Sequence, residues 1–190
     1  MKRLFSFLLL GAILLTGCSA GQDKKSAGQI FAMVEENKDL FLSCVEEMAS
    51  LGEDRIYVAL EEKETSEETK ASPRPVSYLK ESGERTEIES DALEKALADF
   101  GLRLIFFQTA SDGRQCVIFS FTKENEQGKV QNGFYYSFDS LPCAWWGRKG
   151  ELIRRKKNYL QLQPDGSAGY LTSPITDNFY YFEKYGNLVA

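Results

Sequence analysis

Cys18, Cys44, Cys116 and Cys143 are the thiols of this sequence, and it contains no histidine to activate them. That absence removes Ser-His-Asp and Cys-His catalysis, together with the commonest ligand of zinc, copper and iron. The three cysteines after Cys18 are widely spaced and form no CxxC pair, so their spacing makes no metal cluster and no cofactor is expected. As a nucleophile, Cys143 would need another base, and none is apparent. In an exported chain three thiols permit one bridge and one leftover. Cys116 and Cys143, in or beside expected strands, are the favoured pair, whereas an organism living without oxygen would leave all three reduced.

Carboxylate chemistry is the enzymatic option that remains. Glycoside hydrolysis needs two carboxyl groups ~5–9 Å apart, one of them with a raised pKa. Asp139, just past an aromatic strand, and Glu183, inside Phe179 to Tyr185, could supply such a pair, although both are also ordinary strand-end or surface positions. The chain carries no Gly-rich phosphate loop and no GxSxG or HExxH pattern. A binding surface is the other option. Gly133 to Gly147 holds Phe134, Tyr135, Tyr136, Phe138, Trp145 and Trp146, and Arg148 to Lys157 follows with six positive charges, including Arg148, Arg154 and Arg155, against Glu151 alone. Exposed Trp and Tyr anchor interfaces or stack on sugar rings. The commoner use of such residues is to fill a core, and the commoner fate of a charge run is a solvated loop.

The N-terminus carries a different chemistry. Lys2 and Arg3 precede a 12-residue apolar run, Leu4 to Leu15, broken by Ser6 and Gly11, and small residues lead into Cys18. A run of that length reaches only about 18 Å as a helix, short of the ~30 Å hydrocarbon core, and has the order of a secretory signal. Leu15-Thr16-Gly17-Cys18 closely resembles the lipobox of bacterial lipoprotein precursors. The resemblance implies acylation of Cys18, cleavage before it, and a mature protein held at the extracytoplasmic face of a membrane by lipid. Ser19 would permit outer-membrane sorting where an outer membrane exists. The rest of the chain loosely resembles small uncharacterised lipoproteins of Gram-positive bacteria, in texture and in its aromatic strand Asn178 to Phe182, and this likeness implies no activity.

Residues 1–17 are therefore expected to be a signal peptide, 18–27 a flexible tether, and 28–190 one domain. Loss of the signal leaves a net charge of 21 − 28 = −7, which argues against nucleic acid as a partner. The expected partners are the bilayer, through Cys18, and an envelope protein or polymer. Twelve acidic residues against three basic ones between Glu35 and Glu68 add a second charge block.

The elements that must position these residues follow from periodicity. Apolar residues at Ile30, Val34, Phe41, Cys44, Met48 and Leu51 predict one long amphipathic helix over Gly28 to Leu51, interrupted in its stripe by Asn37. The same spacing fits about three heptads and allows a dimeric coiled coil, with packing on a sheet the favoured alternative. A shorter helix is predicted from a Ser90 or Asp91 cap through Phe100, with Gly101 as its stop. Arg55 to Leu60 and Val76 to Leu79 have strand character, and Asp112-Gly113 joins two apolar runs, Leu102 to Ala110 and Arg114 to Lys123, into a hairpin. Val130 to Asp139, Tyr159 to Gln163, Tyr170 to Thr172 and Phe179 to Tyr185 complete the strands. The expected fold is α+β, an antiparallel sheet of about five to seven strands with the long N-terminal helix and the shorter one packed on it. Nothing in the body forms a specific catalytic signature. The leading expectation is a membrane-tethered binding or interaction module, ahead of a small carboxylate hydrolase and a structural or dimerising lipoprotein.

Overall fold

The computed structural model describes residues 25–52, 55–60, 75–79, 83, 85–109, 113–122, 131–143, 152–162 and 168–186. The chain opens on α1 (Ala27–Glu36), whose start is fixed by a reciprocal pair of bonds. The Ser26 hydroxyl accepts from the Gln29 amide at 3.3 Å, and the Gln29 side chain accepts from the Ser26 amide at 2.8 Å. The single long helix expected here does not form. At Asn37 both the backbone N–H and the side-chain Nδ2 donate to the Met33 carbonyl, at 3.1 and 2.9 Å, and the residue leaves helical geometry with φ −121° and ψ 28°. A short amide that bonds its own preceding turn competes with the ladder and ends it. A second helix, α2 (Lys38–Ser50), starts at the next residue.

The break lets the apolar stripe face the sheet. Ile30, Val34, Phe41, Cys44 and Met48 are all fully buried within the one chain, so these residues are not available as a coiled-coil seam. The third helix, α3 (Asp91–Phe100), has the Ser90 hydroxyl accepting from the Leu93 amide at 3.0 Å and Gly101 closing it with φ 67°. A left-handed C-terminal position of this kind favours glycine.

The strands are β1 (Arg55–Leu60), β2 (Pro75–Leu79), β3 (Arg85–Glu87), β4 (Leu104–Thr109), β5 (Gln115–Ser120), β6 (Gln131–Ser137), β7 (Ile153–Arg155), β8 (Asn158–Leu162), β9 (Gly169–Thr176) and β10 (Phe179–Tyr185). They form one ten-stranded sheet in the order β3-β2-β1-β4-β5-β6-β10-β9-β8-β7, every neighbouring pair antiparallel. Both the strand count and the helical arrangement correct the expected sheet of five to seven strands under a long helix. The unforeseen strands β3 and β7 are three residues each and exposed throughout, so they carry no apolar period. They exist by pairing with a single neighbour at the two edges, where short charged strands resist further pairing.

One sheet face packs on the helices and the other does not. Ile56, Val58, Ile105, Phe107, Val117, Phe119, Phe134, Phe179 and Tyr181 point to the helix face. Phe41 of α2 sits among these rings, with centroids 4.8 Å from Phe134, 5.4 Å from Phe119 and 5.3 Å from Phe100. Phe119 and Phe134 are cross-strand partners stacked at 4.5 Å. Phe106, Cys116, Ile118, Tyr135, Tyr170, Tyr180 and Phe182 occupy the second face, where Cys143, Leu152 and Ala168 pack against them.

Phe41 joins α2, α3 and the central strands, so Phe41→Ala should remove about 3–5 kcal/mol of stability. The check is a urea titration showing a lower midpoint at unchanged slope.

Candidate functional site

The densest arrangement of polar and reactive groups lies on the second face, at the end of the sheet where β6 finishes. Its centre is Tyr135, which alternation along β6 turns away from the helices and which is only 1% exposed. The Thr172 hydroxyl donates to the Tyr181 carbonyl at 2.8 Å, so at its 2.9 Å contact with Tyr135 it accepts. Tyr135 in turn accepts from the Cys143 amide at 3.0 Å. The result is a directed chain from the Cys143 N–H through two hydroxyls to a backbone carbonyl. The Tyr170 hydroxyl joins the same network. Burial is the main cause that pushes the Tyr135 and Tyr170 hydroxyls well above their ordinary value, since a phenolate there would lose its hydration.

Beyond β6 the chain turns through Phe138 and Ser140, and Asp139 organises the turn. Its carboxylate accepts from the Ser137 hydroxyl at 2.7 Å and the Leu141 amide at 3.1 Å, and it pairs with Arg114 at 3.3 Å. Arg114 also reaches the Pro142 carbonyl at 3.4 Å, the Ser140 hydroxyl donates to the Asn178 side-chain oxygen at 2.6 Å, and the Tyr180 hydroxyl donates to the Ser140 carbonyl at 2.8 Å. These bonds hold Cys143 against the sheet, its sulfur 3.7 Å from the Ser137 hydroxyl oxygen. A hydrogen bond with the Cys116 side chain lowers the Cys143 thiol pKa and is the largest influence on it, with burial acting against it.

The sequence candidates separate accordingly. Asp139 and Glu183 are not brought together. Glu183 stands opposite Asn132 at the start of β6, where it accepts from the Tyr181 hydroxyl at 2.7 Å on the helix face. Ser137, which Asp139 holds, points to the other face and lies roughly 16 Å along the strand from Asn132 at ~3.3 Å per residue. That spacing does not suit a two-carboxylate cleft. Tyr135 is an interior member and presents nothing to a macromolecular partner. Arg154 and Arg155 are exposed on β7 and alternate to opposite faces, while Cys116 and Cys143 are adjacent. Cys18, Trp145, Trp146 and Arg148 lie outside the described residues.

Sequence reasoning missed the Arg114–Asp139 pair and the Tyr135–Thr172 bond. The first depends on the β5–β6 register. The second depends on β9 meeting β10, and the alternation of Tyr170 with Thr172 on one side of β9 was its only local sign. Among the described residues no group of three Cys, Asp or Glu side chains could hold a metal ion, and no helix is long and apolar enough to cross a membrane.

Alkaline pH should unfold the protein in a defined order. Burial raises the Cys44 thiol from 9.0 to about 12, so the stability it contributes is present below pH 9 and is lost as pH climbs from about 9 to 12. Tyr135, Tyr170 and Tyr181 are also raised in the folded state, so their contribution is present below about pH 10 and lost above it, because the unfolded chain releases those protons first. Tyrosinate absorbance should therefore include a step coincident with loss of circular dichroism. Tyr135→Phe should flatten the decline above pH 10, and at neutral pH should cost about 1–3 kcal/mol by leaving the Cys143 amide without its acceptor.

No protein-family model, no curated protein and no solved structure matches this chain.

Proposed function

We propose that the protein is a lipid-anchored, extracytoplasmic binding module, attached to its membrane through Cys18 and engaging an anionic envelope polymer through the β7–β8 hairpin. The anchor rests on the likeness of Leu15-Thr16-Gly17-Cys18 to a lipobox. The observation that carries the binding surface is the form given to the basic run. Ile153 to Lys157 are all exposed, Arg155 pairs with Asn158, and Lys156 takes φ 57° to close the turn, so four consecutive basic residues lie at one hairpin end, with Arg154 and Arg155 on opposite faces of it. On a chain with an acidic balance of 28 against 23 basic residues, such a tip is a local positive focus that attracts polyanions.

Its place in the sheet separates it from the residues that open the domain. Lys25 is tied to the start of β6, where its carbonyl accepts from Asn132 Nδ2 at 2.7 Å and its ammonium lies 5.5 Å from the centre of the Phe121 ring. By strand order β7 has the same sense as β6, so the hairpin turn belongs to the end of the ladder where β6 finishes, and Lys25 to the end where β6 begins. The turn is also four strands away, roughly 19 Å at ~4.8 Å per strand.

Cys18→Ser should move the protein out of the membrane fraction and abolish incorporation of labelled fatty acid; retention with label would overturn the anchor. Separately, full-length protein should cosediment with a phosphodiester wall polymer at about 50 mM salt and lose most binding near 500 mM, where screening lengths shrink to a few ångströms. The triple change Arg154→Gln, Arg155→Gln, Lys157→Gln should weaken binding roughly tenfold or more. Equal binding by the folded variant, or preference for anionic vesicles over the polymer, would overturn the hairpin assignment.

A further inference from the structure

We propose that Cys116 and Cys143 are a working dithiol, closing to an intramolecular disulfide by exchange with a small-molecule or protein disulfide and so locking the segment after β6 onto the second sheet face. Three observations carry this. Cys116 on β5 is the register partner of Ser137 on β6, so the two side chains rise from the same face. The turn after β6 brings the Cys143 sulfur back to 3.7 Å from the Ser137 hydroxyl oxygen. The two cysteine side chains are hydrogen-bonded to each other, and both are buried in one cluster with no disulfide between them in this structure.

The remaining thiol of the described chain is built differently. Cys44 lies on α2 across the sheet, where it donates to the Ala92 carbonyl at 3.3 Å, and burial pushes it up to about 12. It is therefore a core residue in both position and protonation. Cys143 is also buried, and burial and the Asp139 charge both disfavour its thiolate, but the hydrogen bond with Cys116, helped by Ser137 and Arg114, outweighs them and lowers its pKa. This makes Cys143 the attacking sulfur, because the thiolate is the nucleophile in exchange. Its approach to an external disulfide requires the turn around Ser140 to open, a turn secured by side-chain bonds and one ion pair, without a strand ladder.

The exchange balances in two steps. Cys143, as thiolate, attacks one sulfur of the external disulfide, whose S–S bond breaks to release the first external thiol. Cys116 then gives up its proton and attacks the Cys143 sulfur of the mixed disulfide, releasing the second external thiol. Two protein thiols are oxidised and one external disulfide is reduced, a transfer of two electrons and two protons. The bond closes a loop running from residue 116 to residue 143 and restrains the unfolded chain accordingly, which should raise Tm by roughly 5–10 °C. The inference stands on this geometry and does not depend on the anchor or on the hairpin's partner.

The test is equilibration of the full-length protein in buffers of reduced and oxidised glutathione, followed by acid quench, alkylation and peptide mass spectrometry. The expected result is a linked pair of peptides carrying Cys116 and Cys143, two hydrogens lighter than the sum, with Cys44 alkylated only after denaturation. Reduction should restore both thiols and remove the Tm gain, and Cys44→Ala should still form the link. Either Cys143→Ser or Cys116→Ser should leave a glutathione adduct at most, without the Tm gain. Since the linkage is read on the wild-type protein, a poorly folding variant does not blunt the test. Persistent free thiols in fully oxidised glutathione, stable adducts on both residues, or a link involving Cys44 would each overturn the proposal.

Discussion

A sheet of ten antiparallel strands has two broad faces, and among the described residues the three helices, of ten, thirteen and ten residues, pack on one of them. On the helix face the chain breaks at Asn37 into two short helices, with Phe41 of the second wedged among Phe100, Phe119 and Phe134. On the other face, among the described residues, aromatic side chains of the sheet pack against one another. Tyr57 stacks on Phe106 at 5.2 Å and Tyr135 on Tyr180 at 5.2 Å, while Phe182 lies across Gly133. An added Cβ at Gly133 would fall 2.8 Å from that ring and 2.1 Å from the Phe119 carbonyl oxygen, so only glycine admits the overlap.

Covering a face with tyrosines brings their hydroxyls inside, and each buried hydroxyl needs a partner. That requirement accounts for the polar content of the second face. Thr172 in the middle of β9 and the returning Cys143 amide exist as partners for Tyr135, and the Ser140 carbonyl serves Tyr180. The segment after β6 is thus held down by the interior's demand for acceptors and donors, and the two thiols meet as a result. Asp139 completes the turn as an acceptor paired with Arg114, which explains why a carboxylate beside an aromatic strand is structural in this chain.

What could be read from the sequence was whatever carried a local signal. Ser90 and Gly101 mark the ends of α3 as capping chemistry requires, and the apolar runs on either side of Asp112-Gly113 are β4 and β5. The stripe from Ile30 to Met48 was legible as buried, yet the weight of Asn37 was not, because a periodic pattern continues across a one-residue break between helices. β3 and β7 had no signal at all, being held by one neighbour and solvated on both faces. Tyr135 was legible as aromatic but not as interior. The alternation of β6 gives Phe134 to one face and Tyr135 to the other, and nothing local says that both are covered. Arg114 with Asp139, and Tyr135 with Thr172, needed the strand order itself.

Asn132 has a place in the fold that its single long-range bond understates. It is fully buried, and among the described residues its Oδ1 finds no hydrogen-bond partner, a cost of about 1–3 kcal/mol that an apolar residue would avoid. What the amide secures is Lys25, immediately ahead of the Ser26 cap of α1. The bond ties the residue ahead of the cap to β6, a central strand bonded on both sides to β5 and β10. One buried amide therefore fixes where the first helix begins relative to the middle of the sheet, so helix and strand share a single point of registration.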